Sequence, residues 1–187
     1  IECIDYDELA KIIDMDAVNT FKRNALNPEH PVIRGTAQNP DIYFQGREAA
    51  NKFYNALPAV VEEYMGEISR ITGRDYRLFN YYGAADADRI IIAMGSACEA
   101  IEETIDYLTA KGEKVGLVKV HLFRPFVAEK LLEVIPATAK KIAVLDRTKE
   151  PGAQGEPLYM DVCTALFEAE SAPVVVGGRY GLGSKDV

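Results

Sequence analysis

Four largely aliphatic runs recur in the second part of the chain and constrain its fold most. They are Ile90–Met94, Val115–Val120, Ile142–Leu145 and Val174–Val176. Successive runs lie roughly 25–30 residues apart, which is the length of a strand–helix–strand unit. Because the runs do not alternate regularly with polar residues, they are typical of parallel strands buried on both faces. The pattern predicts a mainly parallel sheet of about four to five strands.

Segments of helical periodicity separate these runs. They cover residues 98–110, 126–135 and 157–168, and a further helix is predicted over residues 57–72 with Gly73 at its end. Helices that alternate with strands cover the faces of a parallel sheet. The predicted fold class is therefore α/β, with helices flanking the sheet.

The first 56 residues follow a different pattern. Apolar residues at helical spacing predict two short helices within residues 5–26. Residues 32–51 show no sustained periodicity and contain turn signals at Gly35, Asn39-Pro40 and Gly46, so we expect no regular structure there. The sequence thus predicts a helical and irregular N-terminal extension before the α/β domain.

Charge and composition argue against several classes of protein. The net charge is −8, whereas nonspecific binding to nucleic acid or to an anionic membrane requires a basic face. No apolar run reaches the length of a membrane span, and the first residues lack the layout of a signal peptide. We therefore expect a cytoplasmic protein without nucleic-acid or membrane partners. Because the sequence starts at Ile1 rather than Met, we also expect a piece of a longer polypeptide.

The potential metal ligands are scattered. The three cysteines, Cys3, Cys98 and Cys163, lie far apart, and so do His30 and His121. Neither a disulfide framework nor a CxxC metal site has this spacing. The sequence predicts no metal or iron–sulfur site formed by this chain alone, and it predicts Cys98 to be a small buried residue.

The junction between the first aliphatic run and its helix is a candidate anion site. Ser96 and Glu99 have the S-x-x-E spacing of a capping box. Glu102, Glu103 and Asp106 add negative charge to the same helix, which disfavours a phosphate at its N-terminus. We expect a capping box at Ser96 and a solvated acidic face behind it. A single glycine is also not a dinucleotide fingerprint, which argues against an independent nucleotide-dependent enzyme.

Basic side chains follow the carboxyl ends of the predicted strands. Five of them form a set that we call the basic rim: Arg124, Arg147, Lys149, Arg179 and Lys185. Carboxyl ends of parallel strands meet at one edge of a sheet, where ligands and partners bind, and His121 belongs to the same edge. The basic rim is either a docking surface for an anionic ligand or an acidic partner domain, or a set of internal ion pairs with Asp146, Glu150 and Asp186. Both interpretations remain open.

Four motifs in order resemble the pyruvate:ferredoxin (flavodoxin) oxidoreductase family. They are Arg34-Gly-Thr-Ala-Gln-Asn-Pro-Asp-Ile-Tyr-Phe-Gln, Ile91-Ile-Ala-Met-Gly-Ser, Val144-Leu-Asp-Arg-Thr-Lys-Glu-Pro-Gly-Ala and Gly178-Arg-Tyr-Gly-Leu-Gly-Ser-Lys. The resemblance extends over essentially the whole chain. It implies that residues 57–187 resemble the C-terminal domain of transketolase and that residues 1–56 are the tail of the preceding pyrimidine-binding domain.

The resemblance also implies a chemistry for the parent enzyme. Members of the family use thiamine diphosphate, Mg²⁺ and [4Fe–4S] clusters to convert pyruvate and coenzyme A into acetyl-coenzyme A, carbon dioxide and reduced ferredoxin or flavodoxin. The family's diphosphate and magnesium motif and its cysteine clusters have no match in this sequence. No catalytic, cofactor-binding or metal-binding residue is therefore assigned here.

The expected role is thus structural and interfacial. The partners would be the other domains and subunits of the same oxidoreductase, and we expect the isolated chain to be inactive. The alternative is a stand-alone α/β module that binds a small anionic ligand through the basic rim.

Overall fold

A computed structural model describes residues 3–32, 35, 37–167, 169 and 172–183. The chain divides into two compact units, Ile1–Arg74 and Asp75–Val187. The predicted boundary after residue 56 concerns the domains of a longer polypeptide and stays a prediction.

The first unit is helical in its described residues. Its helices are α1 Tyr6–Ile12, α2 Met15–Arg23, α3 Pro40–Ala49 and α4 Asn51–Thr72. The Asp5 and Asp14 carboxylates accept the Asp7 and Ala17 amide hydrogens at 2.8 and 2.9 Å and so cap α1 and α2. Helix α4 ends as predicted at Gly73, whose φ of 72° lies in the left-handed region. None of the residues in these four helices is buried.

The prediction that residues 32–51 lack regular structure is wrong for the second half of that segment. The Asn39-Pro40 pair, which we predicted to be a turn signal, lies at the start of α3: Asn39 is the N-cap and Pro40 is the first helical residue. Proline fits the first position of a helix because its missing N–H would have no intrahelical partner there and its φ is already helical. Helix α4 likewise begins at Asn51 rather than at residue 57, with Pro58 inside it.

The second unit is built on a five-stranded sheet. Its strands are β1 Phe79–Gly83, β2 Arg89–Ala93, β3 Val115–Val120, β4 Lys141–Asp146 and β5 Val174–Arg179. Its helices are α5 Ala97–Thr109, α6 Ala128–Val134 and α7 Pro157–Phe167. The strand order is β1-β3-β2-β4-β5, in which β2 to β5 are parallel and β1 is antiparallel to β3. The predicted α/β class with a mainly parallel sheet is confirmed.

One face of the sheet is closed by α6 and α7. Ile92, Ile142 and Val144 point to this face and are fully buried, as are Leu131 of α6 and Leu158 of α7. Burial of each such side chain contributes about 1.5–3 kcal/mol before the loss of conformational entropy is subtracted. This layer holds most of the core.

The opposite face is covered by α5 over only part of its width. Ala93, Cys98, Ile105 and Leu117 form a buried cluster under α5. Toward the β5 edge of the same face, Val174 and Val176 are 64% and 55% exposed. The expectation that the aliphatic runs are buried on both faces is therefore wrong for this edge of the described sheet.

No helix among the described residues combines the length and the apolar character that crossing a membrane requires.

Candidate functional site

The carboxyl ends of the four parallel strands meet at one edge, as predicted. A crevice of about 420 Å³ opens there. It is lined by Met94, Gly95, Ser96, Phe123, Asp146, Arg147, Thr148, Pro157 and Tyr180. Residues from distant parts of the sequence thus share one concave surface, and its charged members are the neighbouring Asp146 and Arg147.

Asp146, the last residue of β4, has a structural role at this crevice. Its side chain is almost entirely buried, with 2% of its surface exposed. Its two carboxylate oxygens accept the amide hydrogens of Leu158 and Tyr159 at 2.9 and 3.1 Å. These are N–H groups of the first turn of α7, which have no intrahelical partner. Asp146 therefore caps α7, and among the described residues it forms no ion pair with the basic rim.

Arg147 joins three segments of the chain. Its Nη1 donates to Ser96 Oγ and its Nε donates to the Gly181 carbonyl oxygen, both at 3.2 Å. Gly181 has a φ of 59°, and a Cβ at this position would lie 2.9 Å from Arg147 Nε. The close approach of the guanidinium thus requires glycine at position 181. Both partners of Arg147 are neutral.

The predicted capping box at Ser96 is not formed. Ser96 has helical backbone angles, φ −63° and ψ −23°, and its side chain makes no cap hydrogen bond. A capping serine needs an extended backbone to turn its oxygen toward the first amides of the helix. Here the oxygen accepts from Arg147 instead. Cys98 is buried, as predicted, and this burial raises the pKa of its thiol.

The acidic face of α5 is also less solvated than predicted. Glu102 pairs with Lys119 of β3 at 2.5 Å, and both side chains are partly buried. Asp106 accepts the Tyr82 hydroxyl hydrogen at 2.7 Å. Two of the three carboxylates therefore hold α5 to the sheet.

Two members of the basic rim form internal ion pairs. Arg124 Nη1 lies 2.6 Å from a carboxylate oxygen of Asp161, and its guanidinium lies 3.8 Å from the centre of the Phe123 ring. Arg179 pairs with Glu156, a residue with only 3% of its surface exposed. The pairs that the sequence suggested with Asp146 and Glu150 are replaced by these two. Asp186 lies outside the described residues.

Glu156 organises the loop between β4 and α7. Its Oε2 accepts the Glu150 amide hydrogen at 2.6 Å. Burial raises the pKa of Glu156, but the hydrogen bonds from Arg179 and from the Glu150 amide outweigh burial, so the net pKa is lowered. Glu156 thus stays ionised and holds the loop at Glu150 and at Arg179, the last residue of β5.

Arg147 and Lys149 remain exposed at the edge. Within the part of the chain that the structure describes, neither forms an ion pair with a carboxylate. Lys185 lies outside the described residues. Among the described members of the basic rim, the two without an ion pair, Arg147 and Lys149, thus lie on the loop that follows β4.

His121 lies at the end of β3 but turns toward the segment before β1. Its Nδ1 is 2.9 Å from the Arg77 carbonyl oxygen, so Nδ1–H donates to this oxygen. Partial burial lowers the pKa of the imidazole, the Arg77 hydrogen bond opposes this, and Lys119 adds to the lowering. The neutral ring is a structural contact rather than a member of the crevice.

Sequence reasoning missed Glu156, Asp161 and Tyr180. Tyr180 Oη donates to the Met94 carbonyl oxygen at 3.0 Å and so joins the segment after β5 to the end of β2. Burial raises the pKa of this phenol. The glycines around Tyr180 were an available signal, because glycine in a strand often marks a close approach of another segment of the chain.

Two of the cofactors implied by the resemblance, Mg²⁺ and the [4Fe–4S] clusters, need grouped metal-ligating side chains. Among residues 3–32, 35, 37–167, 169 and 172–183, no three or more histidine, cysteine or acidic side chains are grouped to hold a metal ion. Cys3 is exposed, Cys98 is buried and Cys163 is partly buried in α7. The described residues thus do not form the ligand set of an iron–sulfur cluster.

Two models of known protein families match the chain. Residues 87–187 match the family model described as pyruvate:ferredoxin oxidoreductase core domain II. Residues 1–66 match the model described as pyruvate flavodoxin/ferredoxin oxidoreductase, thiamine diphosphate-binding. Together the two matches include the basic rim and the helices α1 to α3.

Curated relatives match over the whole chain. A pyruvate-flavodoxin oxidoreductase of Enterobacter agglomerans is 63% identical over 187 residues. A pyruvate:ferredoxin oxidoreductase of Moorella thermoacetica is 62% identical over 186 residues. In both cases the match covers 100% of this chain and 16% of the relative, so the chain spans about one sixth of their length.

A solved 2-oxoglutarate:ferredoxin oxidoreductase from Magnetococcus marinus is more distant. The alignment shows 24% sequence identity and covers 59% of this chain and 18% of the solved chain. Its TM-score is 0.40, which is too low to support an argument about the site. The family matches and the identity of the curated relatives lead to the same assignment. The chain belongs to the pyruvate:ferredoxin (flavodoxin) oxidoreductase family.

Proposed function

We propose that this chain is a structural and interfacial part of an oxidoreductase that converts pyruvate and coenzyme A into acetyl-coenzyme A, carbon dioxide and reduced ferredoxin or flavodoxin. The names of the curated relatives and the two family matches support this proposal. Thiamine diphosphate, Mg²⁺ and [4Fe–4S] clusters would be held by other parts of the enzyme. Its cytoplasmic location is part of the same proposal.

In this proposal the second unit corresponds to the transketolase C-terminal-like domain, together with part of α4. Residues 1–56 would then be the tail of the preceding pyrimidine-binding domain. The match of residues 1–66 to a thiamine diphosphate-binding family supports a change of domain in this part of the chain.

The state of the basic rim supports an interfacial role. Arg124 and Arg179 are neutralised by Asp161 and Glu156, whereas Arg147 and Lys149 lie exposed beside the crevice. The loop from residue 146 to residue 156 combines both signs of charge with Pro151 and two glycines, and it contains no cysteine, histidine or serine. Such a loop can match a charged partner surface, and its side chains include few candidate nucleophiles.

The hydrogen bonds of Arg147 carry the proposal most directly. They fix the guanidinium across the ends of β4, α5 and the segment after β5 without neutralising it. A partner that binds at this edge therefore contacts a positive charge whose position is already fixed. Preorganised charge of this kind lowers the entropy cost of docking.

Charge reversal tests the proposal in the full-length oxidoreductase. We expect Arg147→Glu to weaken association of this domain with its neighbours by about 1–3 kcal/mol, because a desolvated charge would lose its partner. Lys111→Glu, after α5 at the opposite edge of the sheet, is the matched control and should change association by no more than about 1 kcal/mol. Sedimentation measures assembly, and pyruvate oxidation measures turnover. Intact assembly and stability with turnover abolished would refute docking and indicate direct binding of substrate or coenzyme A.

A further inference from the structure

The crevice at the carboxyl edge lies at the switch point of the sheet. In the strand order β1-β3-β2-β4-β5, β2 leads through α5 to β3 on one side, and β4 leads through α7 to β5 on the other. Connections from these two neighbouring strands thus leave in opposite directions. In open α/β sheets this arrangement opens a gap beyond the strand ends, and ligands bind in it. The lining of the crevice includes residues 94–96 after β2 and residues 146–148 at the end of β4, so the crevice is this gap.

Four apolar or aromatic side chains form much of the lining. Met94, Phe123, Pro157 and Tyr180 are half-buried, so part of each remains accessible to a bound molecule. The Tyr180 hydroxyl donates to the Met94 carbonyl oxygen at 3.0 Å and so holds two of these residues together. The volume of about 420 Å³ lies within the range of pockets that bind small molecules, roughly 300–1,000 Å³. Such pockets usually combine an apolar lining with a few polar groups that orient the ligand.

Arg147 and Ser96 supply the hydrogen-bond donors of the crevice. The Arg147 guanidinium donates to the Gly181 carbonyl oxygen and to Ser96 Oγ, both at 3.2 Å. A guanidinium has five N–H donors, so these contacts within the described residues leave three for a ligand. Ser96 Oγ accepts from Arg147 and keeps its own hydrogen to donate. A charged donor that is already fixed in position, with a hydroxyl beside it, suits an oxygen anion.

The surrounding charges favour a carboxylate over a phosphate. Among the described residues that line the crevice, Arg147 is the one basic side chain, and Asp146 adds a negative charge whose oxygens accept from α7. Glu99 adds another in the first turn of α5, the helix that Ser96 precedes. A phosphate group carries about −1.5 to −2 at pH 7, so these carboxylates would repel it more than a ligand with a single negative charge. One guanidinium is matched by one carboxylate.

We propose that this crevice binds a small molecule in which a single carboxylate is joined to an apolar body. The carboxylate accepts hydrogen bonds from Arg147 and Ser96, and the body packs against Phe123 and Tyr180. This site goes beyond the interfacial role and does not rest on it. The two are compatible, because ligand pockets often lie where domains meet.

Photoaffinity labelling of the full-length oxidoreductase tests the site. The probe is a benzoate that carries a trifluoromethyl diazirine at the para position. On irradiation the diazirine loses N₂, and the resulting carbene inserts into a nearby C–H bond. We expect insertion in the peptides that contain Phe123 and Tyr180, and we expect excess benzoate to abolish it.

Two competitors define the chemistry that the crevice recognises. Benzamide, which has the shape of benzoate without its charge, should leave the labelling unchanged, and phenyl phosphate should compete less well than benzoate. Equal competition by benzamide would show that the crevice takes up any apolar ring, and stronger competition by phenyl phosphate would exclude the carboxylate preference. An unlabelled crevice would show that it is empty or filled by a segment of a partner. Each of these results would overturn the inference.

Two neighbouring variants locate the carboxylate. Arg147→Gln removes the positive charge from the lining, and labelling at low probe concentration should fall about tenfold or more, because hydrogen bonds to a charged group are lost. Lys149→Gln, on the same loop but outside the lining, is the matched control and should change labelling less than about threefold. Equal effects of the two variants would contradict a specific site.

The labelling and the sedimentation of Arg147→Glu fail independently. A labelled crevice with unchanged association would remove the docking proposal alone. Weakened association without labelling would remove the ligand site alone.

Discussion

At the scale of single residues, the His121 side chain makes the stability of the fold depend on pH. Its ring donates to the Arg77 carbonyl oxygen at 2.9 Å and lies 6.1 Å from the Tyr76 ring. Partial burial lowers its pKa from the ordinary value of 6.5, and this outweighs the hydrogen bond to Arg77. The unfolded chain then binds a proton more readily than the folded chain does. The contribution of His121 to stability is therefore complete above about pH 6.5 and is lost as the pH falls through the folded pKa.

The His121→Gln variant should show a weaker pH dependence. We expect its free energy of unfolding to fall less than that of the unmodified chain between about pH 7.5 and pH 5.5, because the group that takes up the proton is gone. Urea denaturation at the two pH values measures this. His30→Gln, in the first unit, is the matched control. An unchanged pH dependence in His121→Gln would show that the ring does not contribute.

At the scale of elements, the Asp146 carboxylate holds α7 against the end of β4. It accepts two amide hydrogens of the first turn while almost fully buried. We expect Asp146→Ala to lower the free energy of unfolding by about 1–3 kcal/mol, because two buried N–H groups lose their acceptor. Asp161→Ala, which removes the partly exposed partner of Arg124, should cost at most about 1 kcal/mol. Equal losses in the two variants, measured by urea denaturation, would contradict the capping role.

The strands that sequence reasoning found are those with continuous aliphatic runs. Strands β2 to β5 were predicted because their apolar runs are long enough to distinguish them from loops. Strand β1 was missed because it is a short edge strand of mixed polarity that pairs with β3 in the opposite direction. Helix α3 was missed because Asn39-Pro40 signals a turn and the start of a helix equally well.

The site was predictable only in outline. Strand direction placed Arg124, Arg147 and Arg179 at one edge, but the choice of partner depends on three-dimensional packing. Arg147 meets Ser96 and Gly181 from distant parts of the sequence, and no local pattern indicates either contact. The same holds for Asp161, which meets Arg124 from α7.

At the scale of the whole molecule, both units carry surfaces that a larger protein would cover. Helices α1 to α4 bury no residue, although helices of this length depend on tertiary packing for their stability. Among its described residues the second unit leaves Arg147 and Lys149 without an ion pair, and it leaves part of its sheet open. A chain that spans 16% of its relatives fits this pattern of unfilled contacts.

Hydrogen exchange in residues 147–156 tests the central claim that the carboxyl edge is a contact surface inside a larger oxidoreductase. The amides of this loop would be compared between the 187-residue chain and the full-length enzyme, with β3 as the reference for any general gain in stability. We predict exchange at least about tenfold slower in the full-length enzyme, after correction for β3, because a docked partner must leave before these amides open. Equal exchange rates in the two proteins would contradict the account.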